Sequence, residues 1–228
     1  MSKKLTFIAE IGMNYNSNFG LAYELMRQAK LCGADIAKFQ LGWRDKPDEI
    51  NHITKENIND LIKWSNFFEI ELMFSIISKN ALELFKEFDF KSVKIASRTF
   101  KYDIDLFNSI IDLNLKTFMS FGMNKLDEIN IEKKKNMFFL YCISNYPTYY
   151  DELISMPKDF NNSIFDGYSD HTLGIESSLL AISRGAKIIE KHFTLDKSDT
   201  TIRDHALSAT PNELKKLIEL GRNINSII

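Results

Sequence analysis

Two histidines, two lysines and several acids and hydroxyls share one kind of position in this sequence, the end of a short apolar run. His171 and His192 lie 21 residues apart and close two consecutive runs. Neighbouring strand ends of this kind bring two imidazoles within reach of one ion. Two histidines with positions left open for water and substrate suit a catalytic Mn, Fe, Co or Zn. The competing reading is a pair of ordinary hydrogen-bonded histidines. Lys38 and Lys94 close two other runs. With Ser97, Ser120 and Ser169 they form an anion site without a glycine-rich loop, suited to a phosphate and a carboxylate together. Pairing of the lysines with Glu10, Glu190 and Asp170 is the alternative. There is no Walker sequence, no GxGxxG and no visible nucleophilic triad, so nucleotide cradling and dinucleotide binding have no support.

These residues need elements to position them. Apolar runs predict strands at 5–12, 36–40, 71–76, 92–97, 116–122, 137–144, 164–170 and 187–193. Amphipathic stretches predict helices at about 20–32, 54–68, 79–88, 103–113, 125–135, 149–158, 174–184 and 211–225. Leu21, Leu25, Ala29 and Cys32 fall on one helical face, and Gly33 follows as a C-cap. In the 174–184 helix Ile175, Leu179 and Ile182 form the inner face, with Glu176, Ser177 and Ser183 outside. The last helix opens on Thr210, Pro211 and Glu213, a cap residue, a first-turn proline and an early acid. Cys32-Gly33-Ala34-Asp35-Ile36 and Gly185-Ala186-Lys187-Ile188 repeat one helix-to-strand unit, which argues for a parallel sheet. Eight strands alternating with eight helices predict one (β/α)8 TIM barrel over residues 1–228, with a doubly wound open sheet as the structural alternative. In a barrel the C-terminal strand ends converge on one mouth. Glu10, Lys38, Gln40, Ser75, Lys94, Ser97, Ser120, Ser144, Tyr146, Ser169, Asp170, His171, Glu190 and His192 all sit at or near those ends.

The composition fits one large α/β domain: 228 residues, 44% hydrophobic, with 18 phenylalanines for a core. A formal net charge of −2 carries no basic excess that would point to nucleic acid or an anionic membrane. The two cysteines, Cys32 and Cys142, sit in apolar settings and predict reduced, buried thiols. The first twelve residues lack a signal-peptide pattern, and no apolar stretch is long enough to span a bilayer, so a cytoplasmic protein is expected.

The motifs resemble a known family. Phe7-Ile8-Ala9-Glu10-Ile11-Gly12-Met13-Asn14, Lys38-Phe39-Gln40, Lys94-Ile95-Ala96-Ser97, Ser120-Phe121-Gly122-Met123 and Cys142-Ile143-Ser144-Asn145-Tyr146-Pro147 are similar to segments of the sialic acid (N-acetylneuraminate) synthases. So are Gly167-Tyr168-Ser169-Asp170-His171-Thr172-Leu173-Gly174, Glu190-Lys191-His192-Phe193-Thr194 and Asp204-His205-Ala206-Leu207-Ser208. The resemblance implies a barrel that condenses phosphoenolpyruvate with the aldehyde of an N-acylhexosamine such as N-acetylmannosamine, releasing phosphate and a sialic-acid-type 2-keto acid. It implies Mn²⁺ or a similar divalent metal on His171 and His192. Lys38, Gln40, Lys94, Ser97, Ser120, Ser144 and Ser169 would bind substrate, most of them through phosphoenolpyruvate. Tyr146 would face the sugar, and Glu10 and Asp204 would move protons.

Some positions depart from the family pattern. Tyr15 stands in place of a usual histidine, Arg98 and Thr99 in place of a glycine and a sugar-contacting acid, and Ser75-Ile76-Ile77 in place of a Ser/Thr-Pro-Phe segment. The loop after Gln40 is short, and Ser144 replaces an asparagine found in some members. The last helix is expected to close the barrel without the family's C-terminal antifreeze-like domain, which commonly reaches over the partner's active site. A separate partner supplying the lid is one expectation that follows; a homodimer, which the resemblance implies through a swapped domain, is the other. Retained chemistry with altered sugar recognition is also expected. A synthase acting on a different aldose, a non-catalytic phosphoenolpyruvate- or sugar-binding relative, and a metal-dependent aldolase or hydrolase are the alternatives.

Overall fold

The computed structural model describes residues 5–43, 46 and 49–228. The N-terminal lysines and part of the short loop after residue 41 lie outside the described residues. Eight parallel strands close into a barrel in sequence order: β1 (Thr6–Gly12), β2 (Ile36–Leu41), β3 (Glu71–Ile76), β4 (Ser92–Ile95), β5 (Lys116–Ser120), β6 (Met137–Tyr141), β7 (Gly167–Asp170) and β8 (Ile188–His192). The last strand pairs with the first through Thr6 to Glu10 against Ile188 to His192. Closure removes both sheet edges, so no strand is left as an open template.

Side-chain parity along the strands builds the barrel interior. Ile8, Ile36, Met73, Phe118, Leu140 and Ile188 form one buried apolar cluster inside it. Two residues further along the same strands, on the same face, stand Glu10, Lys38, Ser75, Ser120 and Glu190, all buried. The interior thus changes from hydrocarbon to charge within one strand period. The apolar layer is a floor that keeps water from reaching the charged layer from below. The opposite parity, including Phe7, Phe39, Phe74 and Phe193, packs outward in a second apolar cluster beneath the helices.

The outer layer holds α1 (Phe19–Cys32), α2 (Lys55–Phe68), α3 (Lys79–Lys86), α4 (Ser97–Tyr102), α5 (Ile104–Ile111), α6 (Glu176–Ser183) and α7 (Pro211–Ile227). Leu25, Ala29 and Cys32 of α1 are buried as their spacing predicts, while Leu21 is only half-buried. Gly33 and Gly185, at the same place in the repeated unit, both have φ of +94°, which an L side chain rarely adopts. Thr210 and Glu213 form a reciprocal capping box around Pro211 at the head of α7.

Two expected helices are absent. Residues 125–135 contain only a 3-10 turn at Leu126–Glu128, and 149–158 only one at Tyr150–Ser155. Among its described side chains the first stretch packs Ile129 and Ile131, two residues apart rather than at helical spacing. The second buries none of its 3-10 turn, exposes Tyr149, Tyr150 and Ile154, and meets Pro157, which biases Met156 to an extended backbone. The expected strands at 92–97, 116–122 and 137–144 also end earlier. Ser97 opens α4, a short helix the sequence pattern does not announce, and Gly122 and Ser144 fall in loops.

Candidate active site

Strand register brings the chemistry together. Glu10 is paired with Lys38 across β1–β2 and with His192 across β1–β8. Ser75 lies beside Lys94, and Ser169 beside Glu190. These side chains open into a cavity of about 540 Å³ at the C-terminal mouth, a size typical of small-ligand sites. All twelve residues selected from the sequence line it: Glu10, Lys38, Gln40, Lys94, Ser97, Ser120, Ser144, Tyr146, Ser169, His171, His192 and Asp204. Ser144 and Tyr146 arrive on the loop after β6. Asp204 arrives on a 3-10 turn, Arg203–His205, between β8 and α7.

Four buried charges form the floor of the cavity. Lys94 Nζ donates to Glu190 Oε1 at 2.6 Å, and Ser169 Oγ donates to the same oxygen at 2.7 Å. Lys38 is in ion contact with Glu10 and lies 3.4 Å from Glu190 Oε2. Gln40 Nε2 donates to Glu10 Oε1 at 3.2 Å. The two acids differ in character. Burial raises the Glu10 pKa and the charge of Glu190 adds to this, with Lys38 opposing. Burial also works against the charge of Glu190, but Lys38 and Lys94 outweigh it and hold the carboxyl below its usual range. Burial opposes the charge on Lys38, yet Glu10 and Glu190 prevail and raise its pKa. For Lys94 burial prevails over Glu190 and lowers it. One permanently ionised acid beside one that takes up a proton more readily is an arrangement suited to proton transfer.

The imidazoles stand beside this cluster, their ring centroids 5.5 Å apart. His171 Nδ1 lies 2.6 Å from the carbonyl oxygen of Ile143. A carbonyl only accepts, so Nδ1 carries the proton and Nε2 keeps its lone pair. Among the described residues His192 Nδ1 is buried without a hydrogen-bond partner, and Asp204 Oδ2 lies 3.9 Å from it. Burial, then the neighbouring His192, lowers His171 to about 3. Burial, then Lys38, lowers His192 to about 3. Both rings are therefore neutral near pH 7, the form that ligates a metal. Among the described residues no cluster of three or more ligating side chains converges, so a metal here would keep positions for water and substrate. Two neutral imidazoles and one orphaned ring nitrogen fit that kind of open site. Ser120 Oγ is likewise buried and unpartnered.

Tyr146 stacks on His171 at 4.3 Å and meets His192 edge-on at 5.9 Å, so it walls the imidazole pair. Arg203 lies over the other part of this wall, its Cζ 4.6 Å from the Tyr146 ring, and its Nε donates to Asp204 Oδ1 at 3.3 Å. Burial raises the Asp204 pKa, against the charges of Arg203 and His171.

One expected mouth residue faces elsewhere. Asp170 has the parity opposite to Ser169 and His171, so it points out of the barrel towards α6. There it accepts from Thr172 N and Oγ1 at 2.8 Å, Ser177 Oγ at 2.9 Å and Ser178 Oγ at 2.5 Å, and faces Lys191 Nζ at 3.4 Å. Ser177, expected outside its helix, is buried for the same reason. Glu190, read from sequence as a strand-end residue and a partner for the lysines but not as a binding or catalytic residue, is the hub of the floor. Its signal was the two-residue spacing to His192, which puts both on one strand face. Trp43, Arg98 and Arg203 also line the cavity and were not among the expected binding residues.

Known proteins resemble this chain in sequence and fold. The NeuB family model matches residues 47–228. The chain is 32% identical to the N,N'-diacetyllegionaminic acid synthase of Campylobacter jejuni over an alignment covering 97% of this chain and 77% of that protein. It is 30% identical to the pseudaminic acid synthase of the same species, covering 99% of this chain and 75% of that one. Among solved structures, the N-acetylneuraminic acid (sialic acid) synthetase of Leptospira borgpetersenii serovar Hardjo-bovis superposes with a TM-score of 0.89 at 29% identity, covering 99% of this chain and 85% of that chain. Among the described residues no helix is long and apolar enough to cross a membrane.

Proposed function

The chain belongs to the NeuB family, and on that premise we propose that it joins phosphoenolpyruvate to the aldehyde of an N-acylhexosamine. The products are a sialic-acid-type nonulosonic acid and inorganic phosphate. The observation that carries this reading is the buried floor. Two lysines, two carboxylates and unpartnered hydroxyl and imidazole atoms share one cavity over an apolar base.

Phosphoenolpyruvate presents a phosphate and a carboxylate, and Lys38 and Lys94 are the buried cations at the cavity floor that would hold them. Ser97, Ser120, Ser144 and Ser169 supply neutral donors around those lysines, with Gln40 beside Glu10. In a dry site such donors stabilise developing charge more strongly than in water. Carbon 3 of the enol attacks the aldehyde carbon, forming the new C–C bond. Water adds at carbon 2, and the C–O bond to phosphate then breaks, leaving the 2-keto acid. Glu10, whose carboxyl takes a proton more readily than a free one, and Asp204, raised in the same direction, are the groups for proton movement. Tyr146, flat against His171, gives the sugar a wall beside its aldehyde. His171 and His192 would hold a divalent metal such as Mn²⁺, which supplies Lewis-acid polarisation of the aldehyde oxygen when bound.

The test is phosphate release from phosphoenolpyruvate with Mn²⁺ and a panel of N-acylhexosamines. Release that requires both an aldose and the metal supports the reading. Release independent of aldose contradicts it, as does tight phosphoenolpyruvate binding with no release under any aldose.

A further inference from the structure

Among the described residues the charges lining the cavity do not balance. Glu10, Glu190 and Asp204 are matched by Lys38, Lys94 and Arg203, each of which contacts at least one of these acids. Among the described residues Arg98 is the cation in excess. It follows buried Ser97 in the first turn of α4 and is exposed at the rim. Its Cζ sits 4.3 Å from the ring centroid of Trp43, on the loop after β2. Among the described residues Arg98 makes this contact and no ion pair or hydrogen bond.

A guanidinium laid on an indole is held by its face, which leaves the N–H groups at its edge free. That edge is a planar fork matched to two oxygens of a carboxylate or phosphate. The lysines available for phosphoenolpyruvate are buried on the strands below, whereas Arg98 stands at the rim. The imidazoles and Arg98 line one cavity, so an acceptor placed with its aldehyde at the imidazoles shares that cavity with the guanidinium. From this geometry, and resting on the condensation proposed above, we propose that the acceptor sugar carries an acidic substituent remote from its aldehyde. Arg98, preorganised on Trp43, is the residue that selects it.

The test uses the metal-loaded protein with three acceptors: N-acetylmannosamine, its 6-phosphate and the corresponding 6-carboxylate. The wild type should favour one acidic acceptor over the neutral one by at least tenfold in kcat/KM, and the two acidic probes tell phosphate from carboxylate. Arg98→Ala should lower that preference at least tenfold, and Arg98→Lys should recover part of it. An unchanged ratio in Arg98→Ala overturns the proposal. So does a rise in KM for phosphoenolpyruvate with the ratio unchanged, which would place Arg98 on the other substrate. Calorimetric binding of the two acidic sugars to both proteins separates the two levels. Arg98-dependent binding with no turnover under any acceptor contradicts the reaction but upholds the anion anchor; binding that is the same in both proteins contradicts the anchor.

Discussion

Replacing Glu190 with glutamine tests the charged floor. Glutamine keeps the size of the side chain and an acceptor for Ser169 Oγ, but removes the charge. Lys38 then retains Glu10, whereas Lys94, 2.6 Å from Glu190 in the wild type, loses its paired carboxylate. Two outcomes are open to a buried lysine in that position. It stays charged and unpaired, at a cost of about 3–5 kcal/mol for breaking one side of a buried pair. Or it sheds its proton, which for an ordinary lysine at pH 7 costs about 4.6 kcal/mol, 1.36 kcal/mol for each of about 3.4 pH units. Either route predicts a loss of about 3–5 kcal/mol in urea unfolding of chelated protein at pH 7. The sign with pH follows from Lys94, already lowered by burial. If it is neutral in the folded variant and charged in the unfolded chain, the unfolded state binds the extra proton. Stability of the variant relative to wild type then rises with pH, by up to about 1.4 kcal/mol per unit, until the unfolded lysine titrates near 10.4. A deficit under about 1 kcal/mol at pH 7, or one that does not shrink by pH 9.5, would refute the buried pairing.

Asp170→Asn breaks the outward-facing network and should cost a similar 3–5 kcal/mol at pH 7 by denaturant unfolding. Lys191 and the surrounding hydroxyls outweigh burial and hold Asp170 low, so its contribution is present above the ordinary carboxylate pKa and is lost as pH falls through the depressed folded value. The gap between wild type and variant should therefore narrow in the acid range; a constant gap contradicts the pairing. In chelated wild type, His171 and His192 are lowered to about 3, so the unfolded chain binds protons between about 6.5 and 3 that the folded one does not. Stability should fall as pH drops through that window, and His192→Asn should flatten part of the slope. His171→Ala and His192→Ala should each abolish stoichiometric Mn²⁺ binding, measured by elemental analysis after dialysis; metal content unchanged in both would remove the imidazoles as ligands.

The strands were legible because each combines an apolar run with a polar residue at a fixed parity, as in Ile8 and Glu10 or Ile188 and Glu190. The same parity, read strictly, separates Glu190 and His192 from Lys191, and Ser169 and His171 from Asp170. Treating all strand-end polar residues alike placed Asp170 at the mouth, when it holds α6 against the barrel. Connections were harder to read. Residues 125–135 and 149–158 carry helix-compatible composition without a stripe to bury, and packing rather than propensity decides whether such segments coil. The α4 helix is too short for periodicity to register, yet it turns Arg98 to the rim beside Trp43, a contact between segments that no local pattern reveals.

Formation of a carbon–carbon bond over the four-charge floor is the step that defines the proposed reaction. Phosphoenolpyruvate labelled with ¹³C at carbon 3, incubated with the Mn²⁺-loaded protein and the best acceptor from the panel, should transfer its label to a methylene carbon of a nine-carbon 2-keto acid, seen by NMR and mass spectrometry. One phosphate should appear for each such product. Labelled pyruvate appearing in step with phosphate, and no nine-carbon product, would contradict it.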